Sequence, residues 1–244
     1  MGYRLDVRFP PDADGRRWWG GGMDLAEELD GTGVAHVPGV LSPEECAEVA
    51  ALFDDDARFR STVVMARHAF GEGTYRYFAD PLPKTVQRLR EEWYPPLAEV
   101  ANGWAERLGE RTYPPTLGEL RAECAERGQR RPTPLLLRYG PGGHNRLHQD
   151  VYGDLTFPLQ LLVMLSRPDV DFTGGESVFV EQVPRQQSRP VVVRPGQGDA
   201  VVFPVHHRPA RGARGDHRRQ LRHGVSAVHT GERFVLGIIF HDAP

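Results

Sequence analysis

The sequence predicts an α+β fold: a double-stranded β-helix (jelly roll) core carrying an N-terminal helical layer. Three observations lead there. In the first half, apolar residues recur at helical spacing over Ser42–Phe53, Pro83–Leu108 and Leu117–Arg127. At Pro132 and Pro134 the pattern changes to short apolar runs divided by turn residues. The runs fall at 134–139, 146–151, 158–165, 176–182, 189–194, 199–204, 219–228 and 233–240, the short, regular strands of a two-sheet sandwich. The expected division is residues 1–130 as a mainly helical support and 131–244 as the jelly-roll core, packed as one structural domain. A chain of 244 residues suits that size.

Each element has a local reason. Residues 1–21, rich in Gly, Asp, Arg and Pro, read as a loosely packed arm anchored by Trp18-Trp19. A short helix over Met23–Leu29 and a strand over 33–38 follow. Ser42-Pro43-Glu44-Glu45 is a helix start, with serine at the cap, proline at the first position and glutamate three residues after the cap. Strands at 61–67 and 74–78 flank Gly71-Glu72-Gly73 as a hairpin. The helix over Pro83–Leu108 should break or kink near Pro95-Pro96, since each proline removes a backbone donor. Trp93 and Trp104 belong to its core face. Beyond Pro134 the turns are signalled by Gly153-Asp154, Arg167-Pro168-Asp169, Gly174-Gly175, the stretch from Pro195 to Asp199, and Thr230-Gly231.

Composition narrows the function classes. The formal net charge of −3 provides no global basic field for nucleic acid. Arginine supplies nearly all the basic charge, and Lys84 is the sole lysine. Cys46 and Cys124 are isolated, which fits a reducing cytoplasm. No apolar run approaches ~20 residues and no signal sequence opens the chain, so no membrane role is expected.

The stretch from Tyr139 to Asp150 carries the chemistry. It closes an apolar run, turns on Pro141, Gly142 and Gly143, and presents His148 and Asp150 as His-x-Asp. Residues i and i+2 of an extended strand share a face, so this imidazole and carboxylate can converge on one ion. Two histidines and a carboxylate with open positions opposite make the site of oxygen-activating ferrous iron. The third ligand must come from His206, His207, His217, His223, His229 or His241. An enzyme using 2-oxoglutarate also needs a fixed cation for the distal carboxylate, and the planar fork of arginine suits it best. Only His223 is followed ten residues later by an arginine, Arg233, which opens the last strand; the equivalent positions after the others are Asp216, His217, Ala227 and Ile239, and His241 has no room behind it. His148, Asp150 and His223 are therefore the candidate metal ligands and catalytic centre, and Arg233 the candidate cosubstrate anchor. Gln160, mid-strand in an apolar run, either faces the cosubstrate or is a satisfied core amide.

This constellation resembles the Fe(II)/2-oxoglutarate dioxygenases of the prolyl-hydroxylase type. Tyr139, nine residues before His148, matches a tyrosine that in those enzymes often binds the cosubstrate carboxylate. Gly174-Gly175-Glu176 and Gly198-Asp199-Ala200-Val201-Val202-Phe203 resemble the turns entering that barrel's strands, and Val37 to Cys46 resembles its lead-in helix. The likeness covers about residues 33–241. Leu147 to Gly153, Phe172 to Glu176 and Leu221 to Ser226 resemble, more narrowly, a bacterial branch expected to demethylate damaged nucleic-acid bases. AlkB-type repair enzymes carry Arg-x-Asn-x-Thr-x-Arg after the distal histidine; this chain instead has Gly231 to Gly237, with Arg233 and no second arginine.

The resemblance implies Fe(II), 2-oxoglutarate and O2 as cofactor and cosubstrates, with decarboxylation to succinate coupled to hydroxylation of a C–H bond. A carboxylate at Asp150 implies hydroxylation rather than halogenation. The substrate class stays open among an N-methylated nucleobase, a protein side chain and a small metabolite, with a non-catalytic binding module and a zinc-bound structural jelly roll as other classes. Arg208, Arg211, Arg214, Arg218, Arg219 and Arg222 form either a phosphate-contacting rim or a solvated loop plus a strand. Arg76, between Tyr75 and Tyr77, reads as part of a stacking surface or as an outward arginine on an edge hairpin.

Overall fold

The computed structural model describes residues 25–183, 185–213 and 215–244. The arm with Trp18-Trp19 and the first two residues of the helix expected from Met23 lie outside them. In chain order the elements are α1 (Leu25–Thr32), β1 (Ala35–Val37), α2 (Pro43–Ala51), β2 (Phe59–Val64), β3 (Gly71–Glu72), β4 (Thr74–Phe78), α3 (Lys84–Leu108) and α4 (Leu117–Glu126). They continue with β5 (Leu135–Tyr139), β6 (His144–His148), β7 (Leu159–Met164), β8 (Phe172–Gly174), β9 (Ser177–Gln182) and β10 (Arg189–Val193). The chain closes with β11 (Ala200–Pro204), β12 (His207–Gly212), β13 (Gly215–Val225), β14 (Val228–Gly231) and β15 (Arg233–Ile239).

The strands build a double-stranded β-helix from two facing antiparallel sheets. The larger runs β1-β11-β7-β15-β5-β4-β2, the smaller β10-β9-β13-β6-β3 with β12 paired to β13. Strand alternation gives the larger sheet two different faces. Leu236 and Ile238 of β15, Leu161 and Val163 of β7 and Leu136 of β5 pack outward in one cluster with Leu89, Trp93, Leu97 and Trp104 of α3. Their alternates Arg233, Val235, Leu162 and Leu137 line the space between the sheets. The helical layer thus stiffens the sheet from behind and leaves its other face free for a site. No described helix is long and apolar enough to cross a membrane.

Local chemistry explains the helix starts. Ser42 Oγ accepts the Glu45 N–H at 3.2 Å while the Glu45 carboxylate accepts the Ser42 N–H at 2.9 Å, the reciprocal box expected from the sequence. Thr116 and Glu119 repeat it at α4.

Four expectations need correction. First, the break allowed for at Pro95-Pro96 does not occur: α3 continues through both as one helix. A mid-helix proline costs ~3 kcal/mol or more, but Trp93, Tyr94 and Leu97 are all buried beside them, and each large apolar side chain buried returns about 1.5–3 kcal/mol. Packing against the sheet therefore outweighs the missing donors. Second, Gly71–Glu72 is not the tip of a simple hairpin: β2 pairs with β4, but β3 turns away to pair with β6. Third, residues 207–212 are a strand and not a solvated loop: Arg208, buried near its start, is neutralised by Glu181 and donates to the Asp30 carbonyl. A run reading His-Arg-Pro-Ala-Arg-Gly has no apolar alternation to announce it. Fourth, the strand expected over 146–151 ends at His148, leaving Asp150 in the following loop.

Candidate active site

β6 and β13 are antiparallel neighbours in which His148 lies directly opposite His223. The register then shifts, so that Val225 opposes Asn145. A bulge of this kind bends a strand and re-aims its side chains, and is common beside active sites. Asp150 reaches the two imidazoles from the loop: its Oδ1 lies 3.6 Å from His148 Nε2 and its Oδ2 3.2 Å from His223 Nε2. One ligand atom from each of the three residues falls within 4.8 Å of the others. Among the described residues this is the one His/Cys/Asp/Glu group gathered closely enough to hold a metal ion.

Neighbouring groups fix each ligand. His148 Nδ1 is 2.7 Å from the Arg146 carbonyl. With Nδ1–H donating there, Nε2 keeps its lone pair for an ion. The His223 ring is flanked by Phe203 at 4.7 Å and Phe179 at 6.5 Å between centroids. Asp150 Oδ1 accepts the Tyr152 hydroxyl at 3.0 Å, and Tyr152 in turn accepts the Tyr77 hydroxyl at 3.0 Å. Burial alone would raise the Asp150 carboxyl, but His223 and His148 together with the Tyr152 hydroxyl hold it well below the usual carboxylate range. It is an anion at neutral pH. Burial and the adjacent His223 lower the His148 imidazole, keeping it neutral. A carboxylate converging with two imidazole nitrogens is a donor set for a divalent metal.

Arg233 and Tyr139 are register partners on β15 and β5. The Arg233 guanidinium is 1% exposed and lies 5.4 Å over the Tyr139 ring. Its Nη2 donates to Ser177 Oγ at 3.1 Å, while its Nε and the Tyr139 hydroxyl are buried without partners. Burial pulls the guanidinium down to about 10 and pushes the Tyr139 phenol up to about 12. A buried cation without a carboxylate partner is costly. An entering carboxylate would satisfy both orphaned donors, so these residues fit a dicarboxylic cosubstrate. Gly175 clears the space for the arginine stem: it sits at φ +64°, and a Cβ there would lie 2.9 Å from Arg233 Cδ. That accounts for the second glycine of the Gly174-Gly175 pair; at the first, a Cβ would clash with the Ala227 carbonyl oxygen.

A cavity of about 500 Å³ joins these groups, lined among others by the three ligand residues, Arg233, Tyr139 and Gln160. Gln160 is 3% exposed with Nε2 unpartnered, so it is not a satisfied core amide. Its place differs from that of Arg233. On β7 it pairs with Ile239, six residues along β15 from Arg233, a distance of about 20 Å along the strand. It is instead the cross-strand partner of Phe203, which packs on His223. Gln160 thus belongs to the metal end of the cavity. Tyr77 and Tyr152 are polar groups of the site without a sequence signal; Tyr152 stands two residues after Asp150, and Tyr77 is brought in by the β4–β5 pairing.

Three arginines of the arginine-rich segment are occupied elsewhere. Arg208 and Arg219 pair with Glu181, and Arg218 pairs with Glu110. Arg76 bonds Asp56 and the Phe53 carbonyl and lies over Phe59, pinning the hairpin instead of offering a stacking surface.

Solved structures share this architecture. A prolyl hydroxylase from Trichoplax adhaerens, in complex with a hypoxia inducible factor oxygen degradation domain peptide fragment, superposes with a TM-score of 0.56 at 15% identity, covering 89% of this chain and 87% of that one. An oxidoreductase of the 2OG-Fe(II) oxygenase family from Burkholderia pseudomallei gives 0.51 at 20% identity, covering 93% and 96%. These likenesses define the class of fold: the double-stranded β-helix that those two structures share. A family model, Oxygenase-NA, described as an oxygenase catalysing oxidative methylation of damaged DNA, matches residues 73–243, and the chain belongs to that family. An uncharacterized protein of Mycobacterium tuberculosis (strain H37Rv) is 45% identical over 167 residues, which are 68% of this chain and 72% of the relative.

Proposed function

We propose that the chain uses Fe(II), O2 and 2-oxoglutarate to hydroxylate N-methyl groups on alkylated nucleobases. The observation that carries the cofactor reading is the pairing, in one cavity, of a His–Asp–His cluster with a buried arginine lacking an anionic partner. His148, Asp150 and His223 would hold the metal. Arg233 and Tyr139 would hold the distal carboxylate of 2-oxoglutarate. When bound, the iron and its cosubstrate supply oxidation of an unactivated C–H bond by O2, with succinate and CO2 released.

The residues around them have separate tasks. Tyr152 and the Arg146 carbonyl orient two of the ligands, so that the donor atoms need not reorganise when metal binds. Phe179, Phe203, Leu137, Leu162 and Val235 keep the cavity walls apolar and exclude water from the reacting centre. The family description supports a nucleobase substrate. Oxygenase chemistry acts on such a base by removing a methyl group: a hydroxylated N-methyl carbon leaves as formaldehyde.

The test is anaerobic titration of the apoprotein with Fe(II) and 2-oxoglutarate for the weak visible charge-transfer band, then succinate and formaldehyde release in air with methylated oligonucleotides. A band without base-dependent formaldehyde would retain the cofactor assignment and remove the substrate. No band and no succinate from folded protein would remove both.

A further inference from the structure

We infer that the segment between β2 and β4 is a platform on which an unpaired base of a single-stranded nucleic acid stacks as it enters the cavity. The inference rests on the proposed nucleobase reading and deepens it by naming the strand state and the residues that receive it.

The segment is built, not slack. Met65 is fully buried and its N–H donates to the Gly73 carbonyl at 3.0 Å, closing the excursion at its base. Phe70 N–H returns to the Met65 carbonyl, and the Phe70 carbonyl accepts Arg146 N–H at 2.8 Å. Gly71 and Glu72 pair with Asn145 and His144 on β6, the strand that ends in His148. Ala69 adopts φ 57°, a left-handed conformation uncommon outside glycine, at the residue before Phe70. The excursion is therefore fastened to the metal-bearing strand, and its turn directs one residue.

That residue is Phe70, 47% exposed at the cavity lip. Burying a phenylalanine is among the larger gains a side chain offers, yet here the ring is left out in water. The His68 ring stacks on it at 5.3 Å and 23°, extending the flat surface. Leu147, 42% exposed, lines the same lip. Arg146 lines the same lip, and Arg67 lies on the same excursion three residues before Phe70; both are exposed, and neither forms an ion pair among the described residues. An apolar stacking surface with the exposed cation Arg146 on its lip and Arg67 on the same short segment matches a flat ring attached to a phosphate backbone. A base within a duplex keeps its faces covered and could not reach Phe70 without being extruded. A peptide ring could also stack, but it would leave the two arginines without counter-charge.

The experiment is fluorescence anisotropy with the full chain loaded with Mn(II) and 2-oxoglutarate, using a short fluorescein-labelled single strand, its duplex, and a neutral proline- and tyrosine-containing peptide. The single strand should bind, and the duplex should bind at least about tenfold more weakly. Phe70→Ala should weaken single-strand binding about tenfold and Phe70→Trp should restore it. Arg146→Gln should weaken it and lower the salt slope by about one. Equal affinity for duplex, tight binding of the peptide alone, no oligonucleotide binding, or a well-folded Phe70→Ala protein that binds as the parent does would each overturn the inference. If Phe70→Ala fails to fold, Arg146→Gln and Phe70→Trp decide it. Failure of the platform with intact formaldehyde release leaves the proposed function standing; Phe70-dependent binding without turnover of any methylated base does the reverse.

Discussion

The Tyr152 hydroxyl donates to Asp150 Oδ1 at 3.0 Å while Oδ2 of the same carboxylate faces His223. One oxygen is thereby tied down and the other is presented. Tyr152→Phe should lower Mn(II) or Co(II) affinity about 10- to 100-fold, the usual effect of losing a partner that orients a ligand. Metal titration of the apoprotein measures this, and an unchanged dissociation constant would show that the hydroxyl has no part in holding the carboxylate.

Arg233 is a buried cation with an unpartnered Nε; if it anchors 2-oxoglutarate as proposed, binding and stability should move in opposite directions on its removal. Arg233→Met should raise the dissociation constant of 2-oxoglutarate by at least about 100-fold, since a charge-assisted bidentate contact is lost. The ligand-free variant should melt no lower than the parent, because replacing unpaired buried charge by apolar volume is often neutral or stabilising by about 1–4 kcal/mol. Paired calorimetric titrations and thermal melts check both halves. A destabilised variant with intact 2-oxoglutarate binding would make Arg233 structural.

Gln160→Leu separates the two ends of the cavity. Given its position about 20 Å along the sheet from Arg233, the substitution should leave the distal carboxylate contact alone, and 2-oxoglutarate affinity should stay within about twofold. A buried unpaired amide also vanishes, so the melting temperature should hold or rise. A tenfold loss of 2-oxoglutarate affinity would place the amide on the cosubstrate after all.

His241 gives the acid limb of stability a source. Its Nδ1 accepts the Phe157 N–H at 3.2 Å, and burial, reinforced by Arg90, lowers the imidazole to about 4. The unfolded chain, with an ordinary histidine near 6.5, binds the extra proton first. The stabilisation is therefore complete above about pH 6.5 and is lost as pH falls toward 4, by about 3 kcal/mol in all. Melts from pH 7 to 4.5 should show that slope, and His241→Gln should flatten it; equal slopes would assign the acid sensitivity elsewhere.

What was legible in the sequence follows from how local each signal is. The eight core strands, the Ser42 cap and the gathering of His148, Asp150 and His223 rest on patterns a few residues long, and the structure brings them together. Arg233 stands out in the sequence by its spacing from His223, and the structure sets it in register with Tyr139, a neighbour that spacing does not reveal. The strand at 207–212 was hidden because its burial depends on Glu181, far away in sequence. The Tyr77–Tyr152–Asp150 chain was hidden for the same reason: Tyr77 reaches the site through the pairing of β4 with β5. The unbroken α3 shows the converse, a clear local signal at Pro95-Pro96 overruled by packing.

The order of strands in the larger sheet has a consequence for how the chain can be cut. β4 lies against β5 and β1 against β11, so segments from the first 130 residues cover both flanks of the core strands. A fragment beginning at residue 131 would bare the hydrogen-bonding groups along both flanks, together with the apolar face on which α3 rests. Strands left open in this way recruit other strands. The first 130 residues therefore act as a sheath: without them, the exposed edges of β5 and β11 would be open to pairing with a second copy.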